Sequence, residues 1–162
     1  MRRRKAKKGE KIYFIKVTLS DLYGRAGGRP YRTLAIPETF TLYGLAEAIT
    51  DSFDFDFDHA FGFYNNIKRW TSSTEGYELF ADIGGESEFE GVKRTKVNEV
   101  FDEVGKEWLF LFDYGDEWHF VVELTEVEPS EEGEKYPLVV ESVRDAPSQY
   151  EEYEEPDEED EF

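Results

Sequence analysis

Apolar and polar residues alternate along several short segments, a pattern typical of β-strands that bury one face. The clearest of these is 11–19, Lys-Ile-Tyr-Phe-Ile-Lys-Val-Thr-Leu, in which β-branched and aromatic residues dominate. The 31–36 segment ends at Pro37, which favours a position at or near a sheet edge. Segments of similar character predict further strands at 59–64, 77–80 and 136–141.

Two other segments have the spacing of a helix. One apolar stripe is formed by residues at i, i+3, i+4 and i+7: Leu42, Leu45, Ala46 and Ile49. Thr41 is well placed to cap the N-terminus, so the first helix is predicted to run from Leu42 to about Phe53. A second, shorter helix is predicted over 96–103, capped by Thr95, with four apolar residues on one side: Val97, Val100, Phe101 and Val104.

The strongest local signal is a pair of apolar runs within 107–124 that meet at Gly115-Asp116 and predict a β-hairpin. A two-residue Gly-Asp loop suits a type II′ turn. In that register Asp113 faces Trp118 and Phe112 faces His119, so Asp113 and His119 lie on opposite faces. Both faces of the hairpin are apolar near its centre, which predicts a central position in the sheet with cover on both sides.

These elements lack the regular βαβ alternation of a parallel sheet and therefore predict the α+β class. We expect a single compact domain, mainly antiparallel sheet, with the aromatic hairpin at its centre and two to three helices.

Charge is strongly segregated along the 162 residues, which carry a net charge of −19. The distribution predicts a disordered basic arm over 1–10, the folded domain over 11–145 and a disordered acidic tail over 146–162. An acidic domain repels nucleic-acid phosphates, so nucleic-acid binding is disfavoured. Contact with phosphates is expected only through the basic residues of the arm, namely Arg2, Arg3, Arg4, Lys5, Lys7 and Lys8.

Several classes of chemistry are excluded by what the sequence lacks. It contains no cysteine, so disulfides, thiolate zinc sites and a catalytic thiol are absent. It has no run of 18 apolar residues, no Gly-x-Ser-x-Gly motif and no phosphate-cradling glycine loop. The sequence therefore predicts a cytoplasmic protein with no membrane partner and no cofactor.

Weak catalytic candidates cluster around the hairpin turn, where three carboxylates and one imidazole occur within seven residues. These are Asp113, Asp116, Glu117 and His119, and His59 upstream adds a second imidazole. Oxygen ligands with imidazole nitrogen could hold a divalent cation. The spacing matches no known metal motif, and turn residues are commonly acidic. The sequence therefore predicts no metal site.

Three aspartates at alternate positions, Asp54, Asp56 and Asp58, resemble the start of a calcium-binding loop. His59 stands where that loop requires glycine, and Asn65 occupies the final position that requires a bidentate carboxylate. Because phenylalanines fill the intervening positions, the alternation instead predicts one solvated face and one buried face.

Several of these segments together resemble the plasmid pRiA4b ORF-3-like family, over about residues 11–142. The most specific motif is Phe-Asp-Tyr-Gly-Asp-Glu-Trp at 112–118, with Asp113, Tyr114, Gly115, Asp116 and Trp118 as its structural residues. The resemblance also rests on the opening strand, the Thr-Leu-Tyr-Gly-Leu helix and the His-Ala-Phe segment, at 12–19, 41–49 and 59–61. It implies a compact α+β domain of a kind found on plasmids, beside mobile elements and in bacterial and archaeal chromosomes.

The chain departs from the family pattern at two places in particular. His119 follows Trp118 directly, where the family's histidine usually stands two residues after the tryptophan. The cysteine-bearing C-terminal segment common in the family is missing, together with any metal role that it has there. The resemblance carries no established activity.

Three functions remain open on the sequence. The leading hypothesis is a non-enzymatic module that binds a protein or peptide partner, with the hairpin and neighbouring strands as a rigid platform. The first alternative is a metal- or carboxylate-dependent hydrolase that uses the two histidines and the hairpin carboxylates. If this alternative holds, we expect His59 and His119 to share a pocket. The second is a nucleic-acid-associated protein of mobile elements acting through the basic arm.

Overall fold

The structure is a computed structural model and describes residues 2–20 and 28–150. Within these residues the chain forms β1 (Arg4–Lys5), β2 (Lys11–Leu19), β3 (Tyr31–Pro37), α1 (Leu42–Ser52), β4 (Phe61–Tyr64), a 3-10 turn (Trp70–Ser72), β5 (Gly76–Glu78), α2 (Leu79–Asp82), α3 (Val97–Val100), β6 (Glu107–Phe112), β7 (Trp118–Pro129), β8 (Lys135–Tyr136) and β9 (Leu138–Val143). No helix among them is long and apolar enough to cross a membrane.

Seven strands form one sheet in the order β5-β4-β6-β7-β2-β3-β9, and every neighbouring pair in it is antiparallel. The hairpin strands β6 and β7 lie in the middle of this order. A separate two-stranded ribbon joins β1 to β8. The predicted α+β domain with a central aromatic hairpin and a mainly antiparallel sheet is confirmed.

Helix α1 covers the inner face of the sheet. The Thr41 side-chain oxygen accepts a hydrogen bond from the Gly44 amide at 3.0 Å, which satisfies one free donor of the first turn. Its stripe of Leu42, Leu45, Ala46 and Ile49 is fully buried. The cap and stripe are confirmed, and the helix ends at Ser52, one residue before the predicted end.

A smaller aromatic cluster covers the outer face of β4 and β6. Leu109 and Leu111 of β6 point into it, and the surrounding side chains are Tyr64, Ile67, Trp70, Phe89 and Tyr114. The hydroxyl groups of Tyr64 and Tyr114 lie 2.6 Å apart, and Tyr64 also donates to Glu78. Strand β6 is therefore buried on both faces, as predicted.

The predicted register of the hairpin is wrong by one residue. Phe112 pairs with Trp118 and Leu111 with His119. The loop is longer than two residues because Asp113 and Glu117 adopt left-handed φ angles of 66° and 49° at its two ends. The Glu117 amide donates to the Asp113 carbonyl oxygen at 2.6 Å and closes the loop. Asp113 therefore lies past the last cross-strand pair and does not face Trp118.

The second helix is shorter than predicted. It spans Val97–Val100 and is capped at Lys96 rather than Thr95, since the Lys96 amide donates to the Glu99 carboxylate at 2.7 Å. After Phe101 the chain turns toward β6 through Gly105, whose φ is 97°. Val104 lies in this turn and is 58% exposed, so its predicted place on the apolar side is wrong.

Four predicted strands differ in extent or position. The strand predicted over 59–64 begins only at Phe61, because His59 and Ala60 lie in the irregular turn before β4. β3 lies between β2 and β9, so β9 rather than β3 is the edge strand. The 136–141 segment is divided at Pro137 into β8 and β9, because proline donates no ladder hydrogen bond. The 77–80 segment begins as β5 but continues as α2 from Leu79.

Candidate functional site

The hairpin loop places one histidine-carboxylate pair at its start. His59 Nε2 lies 3.4 Å from Asp113 Oδ2 and 3.6 Å from Asp58 Oδ1. The Asp113 side chain is held from the other side, since its Oδ1 accepts hydrogen bonds from the Gly115 and Asp116 amides at 3.0 and 3.2 Å. Asp113 is thus a buried turn residue whose second oxygen meets the imidazole.

A second, separate pair lies at the end of the loop. His119 Nε2 is 3.3 Å from Glu117 Oε1, and the same oxygen accepts a hydrogen bond from the Trp70 indole at 3.1 Å. The Trp70 hydrogen bond lowers the pKa of Glu117, and His119 adds to this effect. His119 is buried. This pair fastens the 3-10 turn to the hairpin.

The sequence-predicted catalytic residues therefore do not form one site. No hydrogen bond, ion pair or ring contact among the described residues joins His59 to His119, and Asp116 is an exposed loop residue. Across residues 2–20 and 28–150, no group of three or more histidine, aspartate or glutamate side chains is placed to hold a metal ion. Among the described residues, His59 contacts Asp113 and His119 contacts Glu117, in two separate pairs.

The C-terminal part of the described chain closes over the Asp54–His59 segment. The Gln149 side chain pairs with the Asp56 backbone in both directions, accepting from its amide at 2.6 Å and donating to its carbonyl at 3.1 Å. Tyr150 donates to Asp58, and this hydrogen bond raises the pKa of Tyr150 to about 12. The start of the predicted acidic tail, 146–150, thus contacts the domain through Ala146, Gln149 and Tyr150, and the rest of the predicted 146–162 tail lies outside the described residues.

The alternating aspartates behave as the structural interpretation predicts. Phe53 and Phe55 are buried and Phe57 packs against the core, whereas Asp54, Asp56 and Asp58 are exposed. The segment is an irregular turn, in which Asp54 has a left-handed φ of 58°.

An apolar groove of about 500 Å³ crosses the outer face at the β9 end of the sheet. Strand β2 contributes Ile12 and Phe14, and the rest of its apolar lining comes from Ala35, Tyr136, Leu138 and Val140. Val140 is half exposed. We call this surface, with its glutamate rim described next, the outer groove.

The rim of the outer groove is acidic. Of the residues that the structure describes, Glu128, Glu131 and Glu134 all line it, and no lysine or arginine does. A hydrogen bond shared with Glu128, together with charge repulsion, raises the pKa of neighbouring Glu126. Negative charge is therefore crowded along this rim.

The N-terminal arm is anchored to the domain at Arg4–Lys5, which corrects the prediction of disorder for this part of it. The strand pair joins Arg4 to Tyr136 and Lys5 to Lys135. The Arg4 guanidinium forms a two-point ion pair with buried Glu10 at 2.9 and 3.2 Å. The sequence places Arg4 in a disordered arm because its partner, Glu10, is recognised only once the arm has folded back.

A second groove, of about 730 Å³, lies where this arm meets the start of α1. Its lining is Arg2, Arg3, Arg4, Lys7, Thr39, Phe40, Thr41, Gly44 and Glu47. We call it the basic groove. Of the predicted phosphate-contacting residues, Lys5 and Lys8 do not line it.

Neither groove was identified from the sequence, because each is assembled from segments distant along the chain. One signal was available for the outer groove. Ile12 and Phe14 alternate with the core-facing Tyr13 and Ile15, so the start of β2 is apolar on both faces. A strand that is apolar on both faces needs cover on its second face.

Comparison with known protein families finds a match that spans most of the chain, including the hairpin. The family model described as plasmid pRiA4b ORF-3-like protein matches residues 11–154. The chain belongs to this family. The match covers the sheet, the helices and the segment that closes over His59, and it confirms the resemblance carried by the hairpin motif.

Among solved structures, the pRiA4b ORF-3-like chain is similar to the crystal structure of a protein of unknown function, MM3350, from Methanosarcina mazei Go1. The two are 26% identical, with a TM-score of 0.67, over 85% of this chain and 72% of that one. No curated protein matches significantly.

Proposed function

We propose that this pRiA4b ORF-3-like domain is a non-enzymatic binding module whose outer groove takes a short extended segment of a partner protein that alternates apolar and basic residues. The observation that carries this proposal is the outer groove itself, an apolar surface rimmed by three glutamates on the sheet face opposite α1. A surface of this kind fits a partner that buries apolar side chains and brings positive charge.

Burial of the hairpin also supports the choice of the groove, rather than the hairpin, as the proposed contact surface. The residues of β6 after Glu107 are buried, so the hairpin supplies rigidity and offers little area for a partner. The proposal keeps the hairpin and its neighbouring strands as the rigid platform. It assigns the docking surface to the outer groove, at the β9 end of the sheet.

Strand β9 favours an extended ligand of limited length. It pairs with β3 on one side, and no described strand pairs with its other edge. The register shifts between Thr33 and Leu34, which leaves Val140 as an extra residue in the ladder. Such a bulge bends an edge strand and interrupts continuous pairing, so we expect a few residues to dock rather than a long strand.

The test uses two acetylated and amidated pentapeptides, Lys-Val-Lys-Val-Lys and Glu-Val-Glu-Val-Glu, titrated into the full chain and followed by two-dimensional NMR. We expect the basic peptide to shift amides around Phe14 and Leu138 and the acidic peptide to shift none. The double substitution E131K/E134K should weaken binding about tenfold, because like charges then face each other at the rim.

The matched control is E132K, which reverses an exposed glutamate of the same turn that does not line the outer groove. It should change affinity by less than about threefold, since the exposed Glu132 side chain does not line the groove. Failure of the basic peptide to bind, equal binding of both peptides, or an equal loss in E132K would each overturn the proposal.

A further inference from the structure

We infer that the basic groove is a binding site for a small anion bearing two or more phosphate groups. This site lies apart from the outer groove and shares no lining residue with it, so its existence does not depend on the proposed peptide-binding function.

The first support is that the arm is fixed before any ligand arrives. Glu10 accepts hydrogen bonds from Arg4, from Thr39 and from the Lys7 amide, the last at 2.9 Å. The Arg4 guanidinium also lies over the Phe40 ring, 5.2 Å from its centroid. A fixed arm lowers the entropy cost of bringing its cations to a ligand.

The second support is the positive charge of the arm that remains, among the described residues, without an ion pair after Arg4 binds Glu10. Glu10 takes up the charge of Arg4, whereas Arg2, Arg3 and Lys7 form no ion pair with a described residue. Glu47 is the one carboxylate among the described residues of the lining. Besides the paired Arg4, three cations therefore line the cavity, in a chain whose net charge is −19.

The third support concerns which groups can bind. The first amides of α1 are already used, since Leu42 donates to Thr95, Tyr43 to Val92 and Gly44 to Thr41. The helix start thus offers no free amide at these positions, and binding depends on side chains. Two guanidinium groups and an ammonium group together suit the many oxygens of a polyphosphate better than a single carboxylate.

The fourth support limits the size of the ligand. A cavity of about 730 Å³ is in the range of small-molecule sites. A long nucleic acid would extend from the basic groove across acidic surface and be repelled, whereas a small anion contacts the groove alone. The chemistry therefore favours pyrophosphate or a nucleoside diphosphate over an oligonucleotide.

The experiment measures pyrophosphate binding to the full chain by isothermal titration calorimetry, with a 12-nucleotide single strand as the competing probe. The double variants R2Q/K7Q and K5Q/K8Q each remove two positive charges from the same arm, but only the first pair lines the groove. We expect R2Q/K7Q to raise the dissociation constant about tenfold or more and K5Q/K8Q to change it by less than about threefold.

A third variant, E10Q, tests the role of the anchor. It leaves Arg2, Arg3 and Lys7 in place but removes the carboxylate that holds the arm, and it should weaken binding although it makes the chain more positive. Equal losses in the two double variants would show a net-charge effect and overturn the site. Absence of pyrophosphate binding, tighter binding of the oligonucleotide, or unchanged binding in E10Q would also overturn it.

Discussion

Gly62 lies directly beneath the hydroxyl group of Tyr114, and a β-carbon at this position would sit 2.7 Å from that oxygen. The Tyr64 hydroxyl oxygen would be only 2.8 Å away. The hydrogen bond between the two tyrosines on the outer face therefore requires glycine at position 62 of β4, two residues before Tyr64.

We predict that Gly62→Ala destabilises the protein by about 1–3 kcal/mol, because the tyrosine pair must move apart in a packed cluster. Gly44→Ala is the control. Its β-carbon would have no neighbour closer than 3.4 Å, in Phe40, and alanine favours the helix, so stability should be unchanged or rise by up to about 1 kcal/mol. Urea unfolding of the two variants measures both values, and an equal loss in both would contradict the argument.

Glu10 should make the arm sensitive to acid. Burial alone would raise its pKa, but hydrogen bonds from Arg4, Thr39 and Lys7 outweigh burial and lower the pKa from 4.5 to about 2. Its stabilising effect is therefore complete above about pH 4.5 and is lost as the pH falls through about 2.

We expect Glu10→Gln to cost about 2 kcal/mol at pH 7, as for loss of a hydrogen-bonded charge. The difference from the parent protein should shrink as the pH approaches 2, because the parent then loses the same charge. Unfolding at both pH values, with Arg4→Gln and the double variant, gives the coupling energy of the pair. Additive effects of the two substitutions would show that they do not interact.

The hydrogen-bonding shape of the Asp113 side chain matters more for stability than its charge. Asparagine tolerates a left-handed backbone and its Oδ1 can still accept from the Gly115 and Asp116 amides, so Asp113→Asn should stay within about 1 kcal/mol of the parent. Asp113→Ala loses both amide contacts and keeps the unfavourable φ, which should cost about 2 kcal/mol. Asp116→Ala, in the same loop but exposed, is the control and should change unfolding by less than about 0.5 kcal/mol.

The contact of Gln149 with Asp56 requires an amide, because one side chain must both donate and accept. Gln149→Glu keeps the acceptor, loses the donor and brings a negative charge toward Asp58. We predict that amide hydrogen exchange at Asp56 accelerates at least as much in Gln149→Glu as in Gln149→Ala. Protection of Asp56 in the glutamate variant would show that the donor is unnecessary.

The sequence predicted the elements whose signals are local. Thr41 and the stripe beginning at Leu42 define α1 within a dozen residues, and the alternation in 11–19 defines β2. The hairpin was also predicted, but its register was not. A Gly-Asp pair indicates a two-residue loop, and only the folded chain shows that Asp113 and Glu117 bear the left-handed conformations.

The candidate sites could not be predicted in this way, because they depend on contacts between distant segments. Three features follow only from the complete topology. These are the Arg4–Glu10 pair, the β1–β8 ribbon and the contact of Phe14 with Leu138 in one groove. Conversely, the apparent cluster of Asp113, Glu117 and His119 was close in sequence but is divided by the loop geometry into separate pairs.

Strand β7 has two halves with different neighbours. From Trp118 to Leu124, most of its side chains are buried in the interior. The register shifts opposite Phe14, and from there to Pro129 the strand is largely exposed. Glu128 and Pro129 of that distal half line the outer groove and lie outside the core, so substitutions there can alter the groove without disturbing the interior. The proposed peptide-binding function therefore predicts that sequence differences among proteins of this fold concentrate around 126–134, where the groove can change while the core stays the same.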